Sequence, residues 1–226
     1  MNFGQAVQEV LRWVDWNGSN AETLAKSWLN RTREDIATKF NFEFLFTIAT
    51  ATTTSSNTYN FPDDLLDHLM IFIDDEDGNP ILIYEMTPGY WANLVKVPSP
   101  LDLSADTPPY RVLLQGNYFR IIPDPPSGRT LTLWYYRCPE TLTNDTDTDY
   151  FLTTYGETVV WGAAWRGAVY LDDEQKIPKF RAAYEDGIKT MIARENRKKA
   201  DRKGVVRFKT WRDFPPATMR RIFGVF

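Results

Sequence analysis

One histidine and one cysteine occur in 226 residues, and these two scarcities remove the chemistries that need several of either. A histidine triad, or a zinc site built on several histidines, cannot form. His68 itself lies in Leu65-Leu66-Asp67-His68-Leu69, where it reads as a structural residue at the entrance of a strand. Cys138 excludes an internal disulfide framework and fits assembly in a reducing cytoplasm. It precedes Pro139 at a strand end and lacks the setting that turns a thiol into a nucleophile. The glycines are scattered and no Gly-Lys-Ser/Thr occurs, so a phosphate-binding loop is excluded. No apolar run approaches the roughly 20 residues needed to cross a bilayer. The start, Met1-Asn2-Phe3-Gly4-Gln5, has neither the basic nor the apolar region of a signal peptide. Internal repeats and low-complexity blocks are absent from the sequence as well.

What remains is an ordinary globular composition, 43% apolar and 25% charged, on a chain long enough for a substantial core. The net charge of −4 is unevenly spread: Arg194 to Phe226 holds eleven Lys/Arg against three Asp/Glu, so the body is acidic and the end basic. Such asymmetry points to a partner for the tail.

Val7, Val10, Leu11 and Val14 recur at helical spacing and predict a helix over 4–16, stopped by Asn17-Gly18. Ser19 and Glu22 have the spacing of a capping box. The helix they start, over 20–40, carries Ala25, Trp28, Leu29, Thr32, Ile36 and Phe40 on one side, with Lys26, Arg33 and Lys39 largely off that stripe. The period then changes. Ile48 to Thr54 is rich in β-branched residues, and Tyr59-Asn60-Phe61 alternates up to Pro62. Leu69–Ile73 and Ile81–Tyr84 flank Asp77-Gly78, Tyr110–Gln115 and Tyr118–Ile122 flank Gly116-Asn117, and Leu131–Arg137 follows a Pro-rich loop. The middle of the chain therefore reads as antiparallel β.

Helix returns near Thr154, where Thr154 and Glu157 again suit a capping box, and runs over 156–171. This segment is apolar almost all round. Ala163, Ala164, Gly167 and Ala168 suit close helix packing, while Trp161 and Trp165 form a second apolar face. One small bundle can hardly cover both, so the two indoles are expected at a contact between subunits. Asp172-Asp173-Glu174 and Pro178 mark the start of a last helix over 177–199, with Phe180, Tyr184, Ile188, Met191 and Ile192 as its stripe.

Asp74 to Asn79 lacks the ligand pattern of an EF-hand and reads as a solvated hairpin turn, while Asp145-Thr146-Asp147-Thr148-Asp149 alternates better as a calcium loop but also suits a polar loop before the next helix. The basic tail interleaves Arg207, Arg212, Arg220 and Arg221 with Phe208, Trp211, Phe214, Phe223 and Phe226. Cations with aromatics suit single-stranded nucleic acid, and they equally suit a protein-docking arm, because Trp and Arg dominate interface hot spots. The acidic body favours docking, since it would repel DNA everywhere else.

In their order and spacing, several segments resemble the head-to-tail adaptor (connector) proteins of short-tailed bacteriophages, of the tail tubular A type. They are Leu29 to Phe42, Thr50-Ala51-Thr52-Thr53-Thr54, Tyr59-Asn60-Phe61-Pro62-Asp63-Asp64, Ile121-Ile122-Pro123-Asp124-Pro125, Leu131 to Arg137, Val159 to Ala168, and Tyr170-Leu171-Asp172-Asp173. The resemblance implies an α+β fold: a helical bundle from N- and C-terminal helices, an inserted β region and an extended C-terminal arm. It also implies a virion protein at the head–tail junction, a ring of about twelve subunits that joins portal to tail tube or nozzle and leaves a channel for DNA.

The sequence reading is therefore a bundle of residues 1–45 and 150–199, a β-rich insertion of 46–149 and a docking arm of 200–226. Its function is mechanical, with no catalytic residue, cofactor, metal or membrane span. Trp161 and Trp165 are the expected subunit interface, and Arg207, Phe208, Trp211, Arg212, Phe214, Arg220, Arg221, Phe223 and Phe226 the portal-docking set. Two alternatives stand beside it: a nucleic-acid-binding module acting through the tail, and a glycan-interacting tail component using aromatics and carboxylates of the β region.

Overall fold

The computed structural model describes residues 1–54, 56–86 and 110–201. The chain divides into two compact units, 1–188 and 189–226. The architecture is mixed α+β. Its elements, in chain order, are helices α1 (Phe3–Val14) and α2 (Ala21–Lys39), seven strands, and helices α3 (Tyr150–Tyr170) and α4 (Lys176–Asp201). The strands are β1 (Phe46–Thr52), β2 (Thr58–Asn60), β3 (Leu65–Asp74), β4 (Pro80–Glu85), β5 (Arg111–Gln115), β6 (Tyr118–Ile122) and β7 (Thr130–Arg137).

The helix starts are set by different residues from those the spacing suggested. A capping box does open α1, where Asn2 and Gln5 exchange side-chain and backbone hydrogen bonds. At α2 the Ser19–Glu22 box does not form: Asn20 is the capping position and makes no side-chain cap bond. Glu22 is instead drawn to Lys26 at 2.9 Å, one turn along the helix. The Thr154–Glu157 box fails too, because α3 starts a turn earlier. Asp149 caps it, its Oδ1 accepting from Leu152 N at 2.8 Å, and Tyr155 sits at a kink inside the helix.

α3 packs against both α1 and α2. Close approach depends on its glycines. A Cβ on Gly162 would meet Thr32 Cγ2 at 2.5 Å and Tyr184 Cε2 at 2.7 Å, and one on Gly167 would meet Trp28 and Val14 at 2.8 Å. The bundle core holds Phe3, Val7, Val10, Leu29, Ile36, Val159, Ala163 and Ala164, all buried.

The strand order is β1-β7-β3-β4-β5-β6-β2. The hairpins follow the expected pairing, with Ile71 opposite Ile83 and Val112 opposite Ile121. Gly78 and Gly116 take the positive φ their turns require, 81° and 60°. One correction concerns direction. β4 and β5 run parallel, Tyr84 opposite Arg111, so the sheet is mixed rather than wholly antiparallel. The 25 residues between Glu85 and Arg111 exceed the dozen or so that a parallel return needs. The inner face carries Ile71, Ile73, Ile83, Val112, Phe119, Ile121, Leu131, Leu133 and Tyr135 as one apolar cluster. The end strands β1 and β2 line the same cleft, so the sheet curls towards a barrel without closing.

A second correction concerns Arg33. The sequence placed it largely off the apolar stripe of its helix, but it is 1% exposed. Its Nε and Nη2 donate to Asp149 Oδ2 at 2.8 and 2.6 Å, Nη1 to Asn30 Oδ1 at 2.7 Å, and Nη2 also to the Glu140 carbonyl at 3.0 Å. Asn30 in turn brackets Leu142, donating to its carbonyl and accepting from its N–H. This network fastens the segment between β7 and α3 to α2.

Arg33→Leu leaves the half-buried Asp149 carboxylate without its cation and removes the hydrogen bonds to Asn30 and Glu140. A loss of about 3–5 kcal/mol is expected in urea unfolding. Gly162→Ala forces Thr32 and Tyr184 apart, with an expected loss of about 1–3 kcal/mol by the same measurement.

Candidate assembly surface

The two indoles expected at a subunit contact are half-buried within their own chain. Trp161 lies 4.6 Å from Trp13 and 5.7 Å from Phe180, centroid to centroid. Trp165 faces the Tyr184 ring at 6.0 Å and takes the Arg181 guanidinium over its ring at 5.7 Å. The Ala/Gly side of α3 is buried against α1, α2 and, through Phe180 and Tyr184, the start of α4. The indoles keep part of their surface open, and the docking-arm residues 207–226 lie outside the described residues.

The most apolar open surface is on the sheet, and periodicity did not single it out. Ile48 on β1, Trp134 on β7 and Met70 on β3 stand directly opposite one another in register. They are 52%, 37% and 40% exposed, on the face away from the inner cluster. Phe46 and Phe72 pack on Trp134 from either side, at 5.8 and 5.0 Å. Tyr84 on β4 extends the same face, with Arg111 over its ring at 5.2 Å. A contiguous apolar face of this kind marks a protein contact. The sequence signal for it was partial: Ile48, Met70, Phe72 and Trp134 put apolar side chains on the face opposite the core, while Thr50, Thr52, Thr130 and Thr132 keep the rest of that face polar.

The polar clusters do not supply an alternative chemistry. His68 is held on Glu85, Nε2 to Oε1 at 2.5 Å, on a bulged stretch of β3. The Cys138 thiol is pushed up by burial and then by the Glu34 and Asp64 carboxylates, which disfavours the nucleophilic thiolate. Asp75 spends its carboxylate on the N–H groups of Asp77 and Asn79, closing the β3–β4 turn. Asp147 does the same for Thr143 and Asn144, and Asp145 pairs with Lys26 at 2.8 Å. Among the described residues no group of three or more His, Cys, Asp or Glu could hold a metal. No described helix is long and apolar enough to cross a membrane.

Where α2, α3 and α4 meet, Asp35 Oδ2 accepts from the Tyr184 hydroxyl and from Lys39 Nζ, both at 2.5 Å, with Arg166 Nη2 at 3.7 Å. Arg166 Nε also donates to Thr32 Oγ1 at 3.2 Å. Burial alone would raise the Asp35 carboxyl, but the hydrogen bonds from Lys39 and Tyr184 and the two cations hold it below its ordinary value. The Tyr184 hydroxyl is raised by burial and by its bond to Asp35. Each group in the cluster already has its partner inside it, so the arrangement clamps helices rather than offering a free acid or base.

The described residues thus form a helical bundle and a curled β-sheet whose outer face carries exposed apolar side chains. The chain matches the SU10 adaptor protein family over residues 1–207 and belongs to it: it is a phage adaptor structural protein. No curated protein matches the chain.

The depressed Asp35 sets an acid limit. Its contribution is present above the ordinary carboxylate range and is lost as pH falls through the lowered folded value. Urea midpoints should therefore drop as pH is lowered below about 4, and Asp35→Asn should show a flatter acid limb with lower stability at neutral pH.

Proposed function

We propose that this adaptor assembles into a ring of about twelve copies that joins the portal of the capsid to the tail tube or nozzle and leaves a channel for DNA. The observation that carries this reading is the apolar row Ile48–Trp134–Met70, exposed among the described residues of a chain of an adaptor family. A ring of copies covers such a face and multiplies weak contacts around its circumference. The half-open Trp161 and Trp165 belong to the same set of contacts between subunits.

The bundle of residues 1–45 and 150–199, the β-rich insertion 46–149 and the arm 200–226 then act as separate mechanical parts. The arm docks on the portal, with Trp211, Phe214, Phe223 and Phe226 as anchors and Arg212, Arg220 and Arg221 as polar partners. An acidic body suits a lumen through which DNA slides without sticking. The protein performs no turnover, is assembled in the host cytoplasm and stays in the virion at the head–tail junction.

Electron microscopy of the purified protein, alone and mixed with portal, tests the reading. Rings are expected, with Trp134→Glu reducing their number at least tenfold while the monomer stays folded by circular dichroism. Deleting 200–226 should leave a folded protein that no longer binds portal. A monodisperse monomer under both conditions would refute the ring, and unchanged portal binding by the truncated form would refute the docking arm.

A further inference from the structure

Among the described residues, β1 is an end strand of the sheet without the charge, proline or bulge such strands usually carry. Its sequence, Phe-Thr-Ile-Ala-Thr-Ala-Thr, holds no charge and no proline. It pairs with β7 in unbroken register from Phe46–Tyr136 to Thr52–Thr130, so no bulge twists its free edge away. A regular, neutral edge of seven residues is a template for pairing with another strand. The opposite end strand, β2, is neutral too.

Between these two ends lies a cleft of about 320 Å³. Its walls are Ala49 and Ala51 on β1, Leu131 and Leu133 on β7, Tyr59 on β2 and Phe119 on β6. The cleft is thus an unfilled seam: strand edges on two sides and an apolar floor beneath. Side chains alternate along a strand, so a guest strand here would point every second residue into the floor and the others to solvent.

One segment of this chain has that pattern and a complementary charge. Val205-Val206-Arg207-Phe208-Lys209-Thr210 places Val206, Phe208 and Thr210 on one side and Arg207 and Lys209 on the other. Two exposed carboxylates lie at the ends of β2, Asp63 just after it in the chain and Asp124 accepting from Asn57 just before it, with Arg120 the cation opposite Thr58 in β6. From Asp201 only four residues lead to Val205, about 13 Å when extended, so the receiving edge of the second copy must lie close to the end of α4.

We propose that residues 205–210 of one copy add as a strand to the β1 edge of a second copy, seating Val206 and Phe208 in the seam. The proposal rests on the ring reading and refines it. Arg207 and Phe208, read from the sequence as part of the portal-docking set, serve the joint between copies, and the residues beyond them are left for the portal. Main-chain bonds supply the attachment and the apolar floor fixes the register.

Disulfide trapping tests this in the full-length protein. In a Cys138→Ser background, Ala51→Cys is placed in one tagged chain and Phe208→Cys in a differently tagged chain, and the two are co-assembled and oxidised. A doubly tagged disulfide dimer on a non-reducing gel is expected. A ring that forms without this dimer overturns the strand-addition proposal and leaves the ring standing, whereas absence of any ring overturns both. A chain carrying both cysteines that closes only on itself also overturns the proposal. Hydrogen exchange gives an independent readout: assembly of the full chain should slow exchange at Thr47–Thr52 at least tenfold, and a chain ending at residue 204 should lose that protection. Equal protection in the truncated form would count against strand addition.

Discussion

Much of the described fold hangs on the buried guanidinium of Arg33. Its three nitrogens reach a side chain on its own helix, a carbonyl in the segment after β7 and the capping carboxylate of α3. Burying a charge is costly unless it is paired and its remaining hydrogen-bond positions are filled, and here they are filled by the partners that must be brought together. Asp149 is likewise committed twice, with one oxygen on Arg33 and the other on the first turn of α3. One ion pair thus sets where the chain leaves the sheet, where the third helix begins and how it lies on the second.

The helices then close on small residues. Gly162 and Gly167 admit Thr32, Tyr184, Trp28 and Val14 at distances that no side chain would allow. The Asp35 cluster pins a third helix to the same place by saturating one carboxylate with a hydroxyl and an ammonium. Both devices make the bundle stiff.

The sheet answers a different demand. Its inner face forms a core, while its outer face and its first edge are apolar and open. A chain built to stay single would place charge on one of these, as edge strands and exposed sheet faces normally do. Ring assembly and strand addition would use these two surfaces separately, one by packing side chains and the other by main-chain pairing.

The alternating and helical periods were enough to mark four helices, two hairpins and β7 as the last strand, because each period reflects a neighbour-independent backbone geometry. Gly78 and Gly116 announced their turns for the same reason: only local φ is at stake. Capping was less legible. Ser19–Glu22 and Thr154–Glu157 have the spacing of a box, but spacing cannot tell that Lys26 will take Glu22 or that Asp149 will cap the later helix upstream of Thr154. The parallel β4–β5 pair was hidden because direction depends on the path of the connection and not on the strands it joins. Arg33 looked like a solvated residue since a helix of such mixed composition gives no sign of what will be laid against it.

The amino-acid sequence by itself determined the absence of histidine- and disulfide-based chemistry, the acidic body with a basic aromatic end, and the run of α, β and α elements, all of which depend on residue type and short spacing. Only the tertiary structure decided that Arg33 would be buried on Asp149, that Ile48, Trp134 and Met70 would meet in a row, and that β1 would end the sheet beside an open seam. These rest on contacts between residues tens to more than a hundred positions apart, and such contacts exist only after the chain has folded back on itself.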